Sequence, residues 1–194
     1  MGRVVIIWFN GCPGAGKTSA AEVLHGLTGV HTINLEKIGR MLQRFTGVDD
    51  YQYSAIWQTI ARRAPVSMAR LFGHVVVDMT LLDPGVRLRT IDVIKDADEK
   101  LVEIFLHADR ENLSSRIRDR GGVSVDWCLS NLERFMAYGI PACAEIVLVT
   151  DDLELKDIRT VVADACTPLL SRSGSANLAI RHSSLQESIG GLSG

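Results

Sequence analysis

Short runs of apolar, β-branched residues alternate with segments of helical period along most of the chain. Residues 4–9 form an unbroken apolar run, and a glycine-rich stretch separates them from a helical pattern at 17–27. Further strands are expected at 32–35, 75–78, 101–106 and 146–149, and helices at 36–45, 51–71, 84–96, 109–120, 126–138 and 153–169. Pro65 falls inside the long 51–71 pattern and predicts a kink there, because proline removes a helix hydrogen bond. Asp83-Pro84 marks a helix start, and Asp109 is placed to cap the helix that follows it. Continuous rather than alternating hydrophobicity predicts strands covered on both faces. Strands separated by helices predict parallel pairing. The expected fold class is therefore α/β: a doubly wound, parallel, five-stranded sheet with a helical insertion after the second strand and a small lid.

Composition changes this picture at one end only. From Ser171 onward the chain is rich in Ser, Gly and Asn, so residues 1–170 are expected to form the domain and 171–194 a flexible tail. Leu178, Leu185, Ile189 and Leu192 share a rough helical stripe, but Gly190-Gly191 opposes a stable helix. The formal net charge of −2 gives no basis for bulk nucleic-acid binding, which needs clustered excess cations. Residues 4–9 are too few to span a membrane or serve as an export signal. Four scattered cysteines (Cys12, Cys128, Cys143, Cys166) lack zinc-site spacing and read as reduced thiols of a cytoplasmic protein. Cys12, inside the glycine-rich stretch, is the one whose position suggests sensitivity to oxidation. No motif bears on oligomeric state.

The chemistry is concentrated in Gly11-Cys12-Pro13-Gly14-Ala15-Gly16-Lys17-Thr18, followed by Ser19. This is G-x-x-x-x-G-K-[ST] between a buried strand and a helix. Backbone N–H groups of such a loop surround phosphates, the lysine reaches the β and γ groups, and the hydroxyl ligates Mg²⁺. The helix start adds partial positive charge. ATP and Mg²⁺ are the implied ligands. A carboxylate at a neighbouring strand end completes such a metal site, and Val75-Val76-Val77-Asp78 supplies one. Thr18 and Asp78 are the candidate metal ligands.

No N-K-x-D sequence is present to read guanine, and the chain is short for most motor or AAA+ ATPases with their extra subdomains. With a helical insertion after strand two and arginines after strand four, residues 3–168 resemble the adenylate-kinase-like group of small-molecule kinases. That resemblance implies an acceptor held by the helices after strand two and a lid that closes with arginines. In Ser115-Arg116-Ile117-Arg118-Asp119-Arg120-Gly121-Gly122, Arg116 and Arg120 share one helix face and could neutralise a transferring phosphoryl group. The alternative is a solvated helix paired with Glu111 and Asp119. Glu36 or Asp78 is the candidate base, whereas Asn34 cannot act as one. Tyr51, Tyr53 and Trp57 could wall an acceptor pocket or belong to the core. Arg40 and Arg44 could hold an anionic or sugar substrate or be surface charge.

Ile6-Ile7-Trp8-Phe9-Asn10-Gly11, Asn34-Leu35-Glu36-Lys37-Ile38-Gly39, Val77-Asp78-Met79-Thr80 and the Arg116/Arg118/Arg120 cluster together resemble the tunicamycin-resistance ATP-binding proteins. The resemblance implies ATP binding and resistance to a nucleoside antibiotic by modifying or binding it. Asn34 stands where those proteins tend to carry Asp. The tail, with Arg172, Arg181 and Glu187, lacks the basic face that would draw it to anionic lipid, which disfavours membrane attachment through it. The expected function is transfer of the γ-phosphoryl group of Mg·ATP to a small-molecule hydroxyl, with Lys17, Glu36, Asp78, Arg116 and Arg120 as catalytic groups. The alternative is ATP-dependent sequestration of the antibiotic. A third reading, nucleotide-gated association through the tail, has least support. A lid that excludes water serves a kinase more than a sequestering protein.

Overall fold

The computed structural model describes residues 4–97, 99–121, 125–142 and 144–171. Its five strands are β1 (Val5–Gly11), β2 (His31–Asn34), β3 (Val75–Asp78), β4 (Lys100–His107) and β5 (Ile146–Val149). They form one parallel sheet in the order β2-β3-β1-β4-β5. Seven helices accompany them: α1 (Lys17–Thr28), α2 (Leu35–Thr46), α3 (Ala55–Phe72), α4 (Pro84–Asp96), α5 (Arg110–Arg120), α6 (Val125–Ala137) and α7 (Leu155–Ser171). The expected doubly wound α/β fold is what the chain adopts.

The two-residue period of β1 divides the core in two. Val5, Ile7 and Phe9 enter an apolar cluster with residues of α1, α5, α6 and α7. Ile6 and Trp8 point the other way, into a cluster with residues of α3 and α4 and with Leu35 of α2. Both faces of the central strands are covered, as their apolar runs predict. The edge strands are not: Val147 and Val149 of β5 are 41% and 56% exposed, while Ile146 and Leu148 pack inward. Hydrophobicity alone does not reveal that a strand lies at a sheet edge.

Two local expectations change. The 51–71 pattern is two elements, a 3₁₀ turn at Tyr51–Tyr53 and then α3, separated by extended Ser54. α3 runs on through buried Pro65 as one element. Asp109 holds the N-cap position of α5, but its side chain makes no capping bond. The Asp109 N–H and the Asn112 side-chain amide donate to Asp151 Oδ1, at 2.6 and 2.8 Å. Asp83 does cap α4, accepting from the Val86 N–H at 2.9 Å. Among the described residues no helix is long and apolar enough to cross a membrane. Nearly all of the tail, the second glycine of Gly121-Gly122 and Cys143 lie outside the described residues.

Candidate active site

Register places the site. Phe9 pairs with Asp78 across β1 and β3, and Gly11 pairs with Leu106 across β1 and β4, so the glycine loop leaves β1 at the carboxyl edge of the sheet. Open parallel sheets bind ligands at this edge. Gly11 has φ +137°, and a Cβ there would lie 2.2 Å from the Leu106 carbonyl oxygen. At Gly14, with φ +86°, a Cβ would meet the Leu113 carbonyl oxygen at 3.0 Å. Both positions need glycine for backbone angle and for close approach to a neighbouring strand or helix. Gly16 opens α1 in left-handed geometry with no side-chain cap, leaving the first N–H groups of the helix for a ligand. Lys17 is buried and donates to the Cys12 carbonyl at 3.1 Å. Burial pushes the Cys12 thiol up despite Lys17 nearby, which opposes the reactive thiolate its position suggested.

Beyond Lys17 two carboxylates stand side by side. Asp78 Oδ2 accepts from the Thr18 hydroxyl at 2.7 Å and from the Asn34 amide at 2.6 Å. Its Oδ1 is buried with no hydrogen-bond partner. Burial raises the Asp78 carboxyl above its ordinary range, against the opposing pull of Lys17 and with a further push from Glu36. Asn34 also caps α2, its carbonyl oxygen accepting from the Lys37 N–H at 2.8 Å. It therefore fixes the acid and starts the next helix.

Glu36 lies in the first turn of that helix. Its Oε1 accepts from the Thr80 N–H at 2.8 Å and sits 3.6 Å from Lys17 Nζ, while Oε2 pairs with Arg40 at 3.3 Å. Burial by itself would raise this carboxyl. The Lys17 charge, the Thr80 bond and Arg40 outweigh burial and hold it down to about 2.

Thr80 is held from several sides. Its hydroxyl donates to the Gly11 carbonyl at 3.1 Å, and its own carbonyl accepts from Gln52 at 3.1 Å. Behind it, buried Asn10 uses both ends of its amide. Its oxygen accepts from the Gly11 and Leu81 N–H groups, each at 2.9 Å, and its nitrogen donates to the Leu81 carbonyl and to Glu103. Glu103 in turn forms a buried ion pair with Arg87 of α4. This network ties β1, the strand-three loop and α4 into one support beneath the glycine loop.

A cavity of about 230 Å³ opens beside this cluster. Pro13 and Thr80 line its inner end, with Glu36, Arg40, Gln43 and Arg44 of α2 along one side. Tyr51, and Trp127 and Cys128 of α6, line it as well. The Tyr51 and Trp127 rings stack with centroids 6.2 Å apart. Tyr51 lies so close over Gly39 that a Cβ there would come 2.2 Å from its ring. An ion pair between Arg134 of α6 and Asp50, at 2.9 Å, joins the same two segments.

The structure thus brings together Lys17, Thr18, Glu36 and Asp78 at the glycine loop. It treats the two α5 arginines differently. Arg116 donates to the Thr150 hydroxyl and to the Asp151 carbonyl, both at 3.1 Å, and Thr150 donates to the Ala15 carbonyl at 3.2 Å. Arg116 therefore braces the loop after β5 against the glycine loop. Arg120 reaches Cys128 Sγ at 3.7 Å, at the wall of the cleft. Of the three aromatics, Tyr51 lines the cleft, Trp57 is buried with its indole donating to the Leu35 carbonyl, and Tyr53 is exposed. Arg40 and Arg44 both line the cleft. Asn10, Trp127 and Cys128 escaped the sequence reading as site residues. Asn10 stood in a noted motif, but nothing in the linear pattern of α6 set Trp127 and Cys128 apart.

A family model described as "AAA domain" matches residues 6–138. The match runs from β1 through α6, and the chain belongs to this family. Solved structures with the same fold include a tunicamycin resistance protein from Deinococcus radiodurans, at 24% identity and TM-score 0.66 over 84% of this chain and 95% of that one. A gluconokinase from Sinorhizobium meliloti 1021 aligns at 18% identity and TM-score 0.64, covering 88% and 96% of the two chains. The APS kinase of Mycobacterium tuberculosis, solved with AMPPNP and APS, aligns at 19% identity and TM-score 0.60 over 84% and 98%. No curated protein matches the sequence. The fold is a P-loop kinase-like fold.

Proposed function

We propose that this AAA-domain protein transfers the γ-phosphoryl group of Mg·ATP to a hydroxyl of a small molecule held between α2 and α6. One observation carries the reading: Glu36, which lines the cleft, lies 3.6 Å from the loop lysine, so an acceptor hydroxyl at Glu36 would be next to the phosphates. A cleft of about 230 Å³ falls below the usual range for drug-sized ligands. It suits a monosaccharide-sized acceptor. An antibiotic such as tunicamycin, the compound named for the D. radiodurans neighbour, would place one ring inside and the rest outside.

In the reaction proposed, the acceptor oxygen bonds to the γ-phosphorus as the bond to the bridging oxygen of ADP breaks. Phosphoryl transfer of this kind needs positioning and charge stabilisation more than a strong base. Glu36, held low, orients the hydroxyl by accepting its hydrogen bond and takes its proton late. When Lys17 turns to the phosphates, Glu36 loses its largest charge partner and becomes more basic. The orphaned Asp78 Oδ1 beside the Thr18 hydroxyl fits Mg²⁺, which takes one or two carboxylates and completes its shell with phosphates and water. Bound there, the ion would neutralise phosphate charge. Arg120 would add charge at the cleft wall, and Arg116 would hold the β5–α7 loop against the nucleotide. ATP and reduced thiols both suit the cytoplasm.

The test is incubation with Mg·ATP and a panel of tunicamycin, nucleosides, aminoglycosides, phenicols and sugar acids, followed by mass spectrometry. A phosphorylated product that is lost in Lys17→Ala is expected. Nucleotide-dependent retention of an unmodified compound would instead establish sequestration and sink the transfer reading.

A further inference from the structure

We infer that the far end of the cleft is an anion subsite built on Arg44, so that the acceptor is a small hydroxylated anion. This inference rests on the cleft being the acceptor site.

Glu36, Arg40 and Arg44 follow one another at four-residue steps on α2, hence on one face, and all three line the cavity. Their charges do not balance. Glu36 is the one carboxylate in the lining, and it is already engaged by Thr80, Arg40 and Lys17. Arg40 spends part of its guanidinium on Glu36. Among the described residues Arg44 is in no ion pair. The lining therefore carries an uncompensated cation opposite the end where transfer would occur.

Geometry sets the ligand's length. The Cα atoms of residues 36 and 44 are about 12 Å apart along the helix, and arginine side chains in a helix lean toward its N-terminus. The gap left suits a carbon chain or ring of about six atoms. Tyr51 and Trp127 supply flat apolar surface between the two ends. A fork of guanidinium donors is matched equally by a carboxylate or a phosphate ester. The shared chemistry is an anionic group on a polyol.

The experiment uses the full chain with Mg·AMPPNP and follows tryptophan fluorescence. Trp127 lines the cleft and is the reporter, and a ligand-dependent change that is lost in Trp127→Phe separates it from the signal of buried Trp8 and Trp57. Gluconate is titrated against sorbitol, and a hexose phosphate against the free hexose. At least one anion is expected to bind at least tenfold more tightly than its neutral partner; which one identifies the group. Arg44→Gln should remove that preference, and Arg44→Lys should retain part of it, with the melting temperature of each variant confirming folding. Equal binding of anion and neutral partner, no saturable binding by either anion, or a preference that survives Arg44→Gln would overturn the subsite. Anion binding without a phosphorylated product under Mg·ATP would remove the kinase reading and leave the subsite standing.

Discussion

The glycine loop and the acceptor cleft meet at Pro13 and Glu36, but they are made of different material. On the nucleotide side, consecutive residues bend one stretch of backbone, and the critical features are missing side chains at Gly11 and Gly14. On the acceptor side, single side chains arrive from α2, the 3₁₀ turn and α6. The first can hold only what backbone N–H groups and one lysine hold, a polyphosphate. The second can be re-aimed by changing one residue at a time. In the proposed transfer, the donor side is therefore rigid and the acceptor side open to change.

If the two sides differ in this way, Lys17→Ala should have the largest effect. Removing a preorganised charge at the transferring group is expected to lower turnover about a thousandfold, read as acceptor-dependent ADP release, with the fold unchanged by circular dichroism. Turnover within tenfold of the parent would break the assignment of the donor side.

Gly11→Ala should act on the fold itself. With φ at +137° and the Leu106 oxygen 2.2 Å from the new Cβ, a loss of about 3 kcal/mol is expected, measured by urea unfolding. Gly39→Ala would instead displace Tyr51, and its main cost should appear in acceptor binding.

The two carboxylates should respond to pH with opposite signs. Glu36, depressed from 4.5 to about 2, contributes stability that is complete above pH 4.5 and lost as pH falls toward 2. Its size is on the order of 3 kcal/mol. Asp78 is raised, so its contribution is present below its ordinary value of 3.8 and lost as pH rises through the raised one. Glu36→Gln should flatten the acid limb of the stability curve. Asp78→Asn should leave the ligand-free protein as stable or more stable at neutral pH while abolishing Mg²⁺-dependent turnover. A destabilised Asp78→Asn protein at neutral pH would contradict the buried, unpartnered carboxylate oxygen described at this residue.

Smaller effects test the acceptor side. Trp127→Ala should raise the acceptor KM about tenfold and leave the KM for ATP unchanged; movement of both would tie α6 to the nucleotide. Arg134→Ala, which breaks a half-exposed ion pair with Asp50, should cost under about 1 kcal/mol by thermal melting.

Much of this was legible along the chain because the responsible forces are local. Apolar runs and breaker residues located every strand and helix to within a few residues. The glycine loop is a contiguous motif whose spacing is its mechanism, so Gly11 through Thr18 could be read directly. Asp78 could be read from its place at a strand end, whereas Asn34 capping α2 was not read and emerges only from the structure. Two local expectations failed: extended Ser54 split one helical pattern in two, and the Asp109 side chain makes no cap while its own N–H donates to Asp151.

What the tertiary structure decided is what depends on pairing distant segments. Only strand order makes β5 an edge with exposed valines, and only packing sends Trp57 to the core while Tyr51 turns to the cleft. Arg116 and Arg120 share one helix face in sequence, yet Thr150 and Asp151 claim one and Cys128 meets the other. Trp127 became a cleft residue because α6 lies across from the 3₁₀ turn, a contact some 76 residues away in the chain. Helical and strand periods report on neighbours within a few residues, whereas an acceptor site is assembled by contacts that sequence separation hides.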